Sequence, residues 1–226
     1  MTSPSTSERI LCQSIRKPAR RRATSSEAGF SLLELMIVLW IAFVAAAMVI
    51  PTATTSIRGI RLSSTGASYA NLLQQARVRA IKDDRYYAVI ATAAQGSTPP
   101  IAFIDLAGTG AYAAGDPTMV FAQGVTPMPF ASGPALANLE SQFLPPGASS
   151  IASVNTTAAG PTFGPRGLPC NPVTAGGYTT CPFITPTSFI TFIQNTQGGA
   201  WEAITVTPAG RVREWRFNGT TWSGLN

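Results

Sequence analysis

The sequence predicts an α+β protein, with a long N-terminal transmembrane and stem helix followed by a β-rich antiparallel head domain. Residues 30–50 form an apolar run with one ionisable side chain, Glu34, and about 20 such residues cross a bilayer core as a helix. From residue 83 onward, short alternating apolar runs are separated by Gly, Pro, Ser and Thr. This second pattern is typical of antiparallel strands.

These patterns divide the chain into a leader over residues 1–29, a helix over 30–82 and an exported head over 83–226. The net charge is +6, but the leader holds six bases and two acids, so residues 30–226 carry ten bases and eight acids. Bulk charge therefore does not indicate a partner. The basic cluster at 20–22 precedes the apolar run and predicts a cytoplasmic N-terminus. The chain is therefore expected to cross a membrane once, with everything after the helix exported.

The second part of the predicted helix is amphipathic. Pro51 lacks an amide donor and is expected to kink or loosen the helix. Beyond it, apolar residues recur at helical spacing, which predicts a face that packs on the head. They are Ile57, Ile60, Tyr69, Leu73, Ala76, Ala80 and Ile81.

The head is expected to consist of short strands joined by long loops. Segments 124–149 and 164–187 are rich in proline and are predicted to be loops. The predicted strands cover residues 86–92, 101–106, 118–122, 150–154, 188–194, 201–207 and 211–217.

Glu34 is unusual because a carboxylate inside an apolar membrane helix costs at least about 2.5 kcal/mol. If the chain is cut before Phe30, the new α-amino group lies one helical turn from Glu34. The two opposite charges would then pair, within a subunit or between neighbours.

Residues 29–38, GFSLLELMIV, resemble the processing site of type IV pilins and type II secretion pseudopilins. The resemblance implies that a prepilin peptidase cleaves between Gly29 and Phe30 and methylates the Phe30 amine. It also implies assembly roles for Glu34 and Pro51, with the membrane and other pilin or pseudopilin subunits as partners of the stem helix. The location that the resemblance implies is the bacterial inner membrane, crossed once, with the head in the periplasm. An ordinary secretory signal cut after residues 45–47, which would release a soluble β-protein, and a plain single-span anchor are the alternatives.

Three head segments resemble the GspH/FimT branch of this family. They are residues 101–112, a strand followed by a Gly-rich turn, residues 163–167, FGPRG, and residues 207–213, TPAGRVR. The resemblance implies a minor pilin or pseudopilin of a type IV pilus or a type II secretion pseudopilus, between which the sequence does not decide.

The sequence offers no case for an enzyme. It contains no histidine, which excludes a Ser-His-Asp or Cys-His nucleophile and a histidine metal site. The Gly-rich stretch between Asp105 and Asp116 lacks the spacing of a phosphate loop and has too few acids for an EF-hand, so it is interpreted as a hairpin connection. We expect no cofactor and no metal.

The cysteines predict one disulfide in the exported part. Cys12 lies in the leader, which leaves Cys170 and Cys181 as a pair. In an oxidising compartment their disulfide would contribute roughly 3 kcal/mol, and two free thiols are the alternative.

The segment Gly210-Arg211-Val212-Arg213 matches the GRxR motif of FimT-type minor pilins, which implies DNA capture during uptake. On an extended strand, Arg211 and Arg213 lie on one face and could clamp phosphates. Trp215 shares that face and is predicted to stack on a base. The alternative is a solvated basic face that protects a sheet edge from pairing.

Overall fold

The computed structural model describes residues 31–93, 96, 98–136, 139, 150–153, 161–171, 173–175, 178–180 and 187–225. Two compact units meet at the Ala46–Ala47 bond. The helix α1, Leu32–Asp83, begins in the first unit and ends in the second.

The predicted membrane segment includes the first part of α1, residues 32–46, and the structure corrects this prediction. In the described part of the chain, no helix is long and apolar enough to cross a membrane. Glu34 lies in the first turn of this helix, and a charged side chain is disfavoured in a membrane span. This finding contradicts the predicted transmembrane stem, and with it the predicted fold class and the single-pass inner-membrane localisation.

The described strands form three sheets. The first sheet is antiparallel, in the order β3-β2-β1-β6-β7. The second has the order β13-β12-β11-β10-β4, with β5 pairing parallel to β10, and β8 pairs with β9 separately. The strands are β1 Tyr87–Thr92, β2 Ile101–Asp105, β3 Thr118–Val120, β4 Val125–Met128, β5 Ser150–Ser153, β6 Thr162–Phe163, β7 Pro169–Cys170, β8 Val173–Ala175, β9 Tyr178–Thr180, β10 Thr187–Asn195, β11 Trp201–Val206, β12 Val212–Phe217 and β13 Trp222–Gly224.

The main core lies between the part of α1 that belongs to the second unit and the first and second sheets. Leu62, Tyr69 and Leu73 are buried there with Val89 of the first sheet and Ile204 of the second. The Tyr69 hydroxyl is within 3.3 Å of Thr191 Oγ1 and forms a buried hydrogen bond with it. Burial raises the pKa of Tyr69 to about 12, so its hydroxyl stays protonated near neutral pH. The helical spacing predicted part of this face, but Ile57, Ile60 and Ile81 are exposed.

A second hydrophobic cluster covers the opposite face of the second sheet. Phe192, Trp215 and Trp222 are buried in it together with Leu139. The rings of Phe192 and Trp222 stack with centroids 5.7 Å apart, and Trp222 Nε1 donates to the Ala135 carbonyl at 3.0 Å. The second sheet is therefore covered on both faces.

All seven predicted strands overlap a strand of the structure, but both segments predicted to be loops also contain strands. Strand β4 lies within 124–149, and β7, β8 and β9 lie within 164–187. Pro127 lies in register with Ile193 of β10. Proline is tolerated there because β4 ends the sheet and needs no donor on its outer side. The many prolines of these segments predicted loops where strands form, and β4 pairs in regular register despite its proline.

Candidate functional site

The turn between β11 and β12 holds the glycine of the predicted GRxR segment in a fixed conformation. The Gly210 amide donates to the Thr207 carbonyl at 2.7 Å, and the Arg211 amide donates to Thr207 Oγ1 at 3.1 Å. Gly210 has a φ of +77°, a region that side chains disfavour. The turn therefore fixes where Arg211, which is exposed, leaves the backbone.

A second tight turn connects β6 and β7. The Gly167 amide donates to the Gly164 carbonyl at 2.8 Å, and the Gly164 amide donates to the Leu168 carbonyl at 3.1 Å. Gly167 also has a positive φ, +69°. Arg166, next to it, is exposed.

These two turns meet against Arg77 of α1. Arg77 Nη1 donates to the Gly210 carbonyl at 3.1 Å. A Cβ atom added to Gly210 would lie 2.7 Å from the Gly167 carbonyl oxygen, and one added to Gly167 would lie 2.6 Å from Ile81 Cδ1. The Gly210 turn is thus packed too closely against the Gly167 carbonyl to admit a side chain at position 210, whereas the atom nearest Gly167 is the end of a flexible side chain. Local sequence patterns identified both glycine motifs but missed Arg77, which belongs to an unrelated helical pattern.

Arg213 lies on the outer face of β12 and is half-buried. It is opposite Thr205 of β11 in the register. Its Nε atom is buried and has no hydrogen-bond partner among the residues described. A ligand therefore cannot reach this nitrogen, and only the exposed part of the half-buried side chain could contact one.

Trp215 corrects a prediction about the same face. Its side chain is 2% exposed, and its Nε1 donates to Thr205 Oγ1 at 2.8 Å. It shares a face with Arg213, but the second hydrophobic cluster covers that face. The prediction that Trp215 stacks on a base is wrong in this conformation because its ring is already packed.

Arg216, on the inner face of β12, is committed to an internal ion pair. Its Nη2 lies 2.6 Å from Glu202 Oε1, and Glu202 is almost fully buried. Burial raises the pKa of Glu202, and the charge and hydrogen bond of Arg216 partly oppose that shift. Because Arg216 is paired with Glu202, it is not free to bind an external anion. Burial also raises the pKa of Glu214 in the same strand.

The carboxylates of the β2–β3 connection bind their own loop. Asp105 accepts amide hydrogen bonds from Gly108, Thr109 and Gly110, at 2.7, 3.1 and 2.7 Å. Asp116 accepts from Ala113 at 2.9 Å. Across the described residues, no group of three or more acids and cysteines is placed to hold a metal ion.

The predicted processing and disulfide residues are only partly described. Gly29, Phe30 and Cys181 lie outside the described residues, and Pro51 lies within α1 with its side chain undescribed. Glu34 is exposed in the first turn of α1, where its negative charge is favourable to the helix dipole. Cys170 is disulfide-bonded, and its pairing with Cys181 stays a prediction.

The arrangement at the β11–β12 turn can bind an anion. Arg211 is exposed and pairs with no carboxylate within the part of the chain that the structure describes. Arg213 follows, and its side chain is half-buried. No family model, curated protein or solved structure matches the chain.

Proposed function

We propose that this protein binds DNA through the β11–β12 turn, as a FimT-type DNA-binding minor pilin would, with Arg211 and Arg213 contacting backbone phosphates. The observation that carries the proposal is that Arg211 is exposed and pairs with no carboxylate among the described residues. It lies on a turn held by internal hydrogen bonds to Thr207. A guanidinium binds a phosphate through two parallel hydrogen bonds, and preorganisation lowers the entropic cost of binding.

Edge protection is the alternative role of these arginines, because basic side chains often prevent an edge strand from pairing with another chain. Strand β13 pairs with Trp215, Arg216 and Phe217 of β12, and this register stops short of Arg213. A DNA titration separates the two roles, since edge protection requires no DNA binding.

The test is a DNA titration of the full-length chain, followed by fluorescence anisotropy at several salt concentrations. Changing Arg211 and Arg213 to Gln should abolish most of the binding and reduce the slope of log K against log salt by about 1.4 on single strands. The control is Arg79→Gln with Arg85→Gln, which removes the same charge from exposed residues outside the turn. If the wild-type chain does not bind, or if both double variants lose affinity equally, the proposal fails.

A second candidate function is that of a filament subunit in a type IV pilus or type II secretion pseudopilus. It is favoured by the first part of α1, whose apolar side chains are exposed on all sides. Leu32 is 78% exposed, Trp40 75% and Phe43 77%. A helix that is apolar all round is normally covered, and equivalent helices of neighbouring subunits would cover it.

Mass spectrometry of the mature N-terminus tests this second candidate. Processing by a prepilin peptidase should leave N-methylated Phe30 as the first residue. A mature chain that starts at Met48 would instead support a secretory signal and a released β-protein, and would exclude the filament role.

A further inference from the structure

The two glycine turns come from different sheets and different parts of the sequence. Gly167 lies between β6 and β7 of the first sheet, and Gly210 lies between β11 and β12 of the second. The Gly167 carbonyl is 2.7 Å from the position that a Gly210 Cβ would take. Each glycine adjoins an exposed arginine, Arg166 in one turn and Arg211 in the other.

From this juxtaposition we infer that Arg166 is a further DNA-binding residue, and that Arg166 and Arg211 form one composite phosphate-binding site across the two sheets. The inference rests on the proposed function and extends it to a residue outside the GRxR strand. Neither arginine pairs with a carboxylate among the residues described. Both charges are therefore available to a ligand.

The backbone geometry sets the size of the ligand. Bond lengths and the Gly167–Gly210 contact place the Cα atoms of Arg166 and Arg211 no more than about 14 Å apart. One DNA strand advances about 3.4 Å per phosphate, so this distance covers about four nucleotides at most. A single phosphodiester strand can therefore contact both arginines without bending sharply.

Arg77 of α1 lies against both turns. Its Nη1 donates to the Gly210 carbonyl, and its Nε lies 3.2 Å from the position that a Gly167 Cβ would take. The backbones that carry Arg166 and Arg211 are therefore held against the same helical residue. A ligand that contacts both does not have to bring the two turns together.

The first experiment compares Arg166→Gln with Arg79→Gln in the full-length chain, titrated with a single-stranded oligonucleotide. Arg166→Gln should lower affinity roughly tenfold and reduce the salt slope by about 0.7, the loss of one phosphate contact. Arg79→Gln removes the same charge from the helix surface and should change affinity less than twofold, about the effect of a distant exposed charge. An oligonucleotide with an uncharged methylphosphonate backbone should show no difference between the two variants.

The second experiment separates the turns without changing any charge. Gly210→Ala puts a Cβ 2.7 Å from the Gly167 carbonyl, whereas Gly199, with a similar φ of +66°, has no atom within 4 Å of such a Cβ. Both alanines strain the backbone, but only Gly210→Ala should displace Arg211 from Arg166. DNA affinity should fall for Gly210→Ala and stay near the wild-type value for Gly199→Ala, measured at a temperature where both are folded.

The outcomes separate this inference from the function on which it rests. If the Arg211 and Arg213 variant loses binding while Arg166→Gln equals Arg79→Gln, the composite site is wrong and DNA binding stands. If the loss at Arg166 persists on the uncharged backbone, the contact is to bases and the phosphate assignment is wrong. If the wild-type chain binds no DNA, both ideas are overturned.

Discussion

The two faces of the second sheet reverse the usual distribution of charge and apolar surface. The inner face, against α1, carries the buried Glu202 and its partner Arg216. The outer face, which would often be solvated, carries Trp215 and Trp222 in a buried cluster. Strand β12 contributes to both faces through alternating residues.

Gly66 explains how the inner face accommodates a carboxylate. A Cβ at Gly66 would lie 2.5 Å from Glu202 Oε2, so only a residue without a side chain leaves room for it. The other oxygen is bound by Arg216, but Oε2 has no hydrogen-bond partner among the described residues. The two faces therefore differ in what they bury. The inner face buries a carboxylate that is only partly paired, and the outer face buries packed aromatic rings.

The largest expected effect is on the outer face. Trp215→Ala should lower the free energy of unfolding by about 3–5 kcal/mol, because it leaves a cavity among packed rings. Trp215→Phe keeps most of the ring and should cost about 1 kcal/mol, mainly for the lost hydrogen bond to Thr205. Denaturant unfolding measures both. A loss below 1 kcal/mol for the alanine variant would show that this cluster contributes little.

A smaller effect is expected on the inner face from Arg216→Met. The change leaves Glu202 buried without its cation and should cost about 2 kcal/mol, less than a fully buried pair because Arg216 is 42% exposed. Arg213→Met, the same substitution on the outer face of the same strand, should cost less than about 1 kcal/mol. Equal losses would mean that the ion pair does not distinguish the two faces.

The smallest expected effect is on pH dependence. Burial raises the pKa of Glu202 in the folded state above its ordinary value of 4.5. Its contribution to stability is therefore fully present below pH 4.5 and is lost as pH rises through the raised pKa. Glu202→Gln should flatten this part of the curve of unfolding free energy against pH. Asp84→Asn, which alters an exposed carboxylate, should leave it in place, and a curve unchanged by Glu202→Gln would contradict the assignment.

Features set by local periodicity were predictable from the sequence. Alternation predicted β10 and β11, and helical spacing predicted that Tyr69 and Leu73 share a buried face. The prediction of a transmembrane stem was wrong, because no helix among the described residues meets the requirements of a membrane span.

Features set by contacts between distant residues were not predictable. Alternation correctly placed Trp215 with Arg213, but it does not say that Leu139 and Trp222 cover that face. The contact of Arg77 with Gly210 spans 133 residues, and nothing in either local pattern refers to the other. The candidate site was therefore found in part, without its helical support and without Arg166.

The meeting of Arg77, Gly167 and Gly210 also has a consequence for folding. The β11–β12 turn can form locally, but its contact with the β6–β7 turn requires both sheets to be docked on α1. A ligand that holds Arg166 and Arg211 together would bind the docked state and not the separated one. By mass action, the bound ligand would increase the free energy of unfolding roughly in proportion to the logarithm of the ligand concentration. Binding of a ligand to Arg166 and Arg211 and docking of the two sheets would then be thermodynamically coupled.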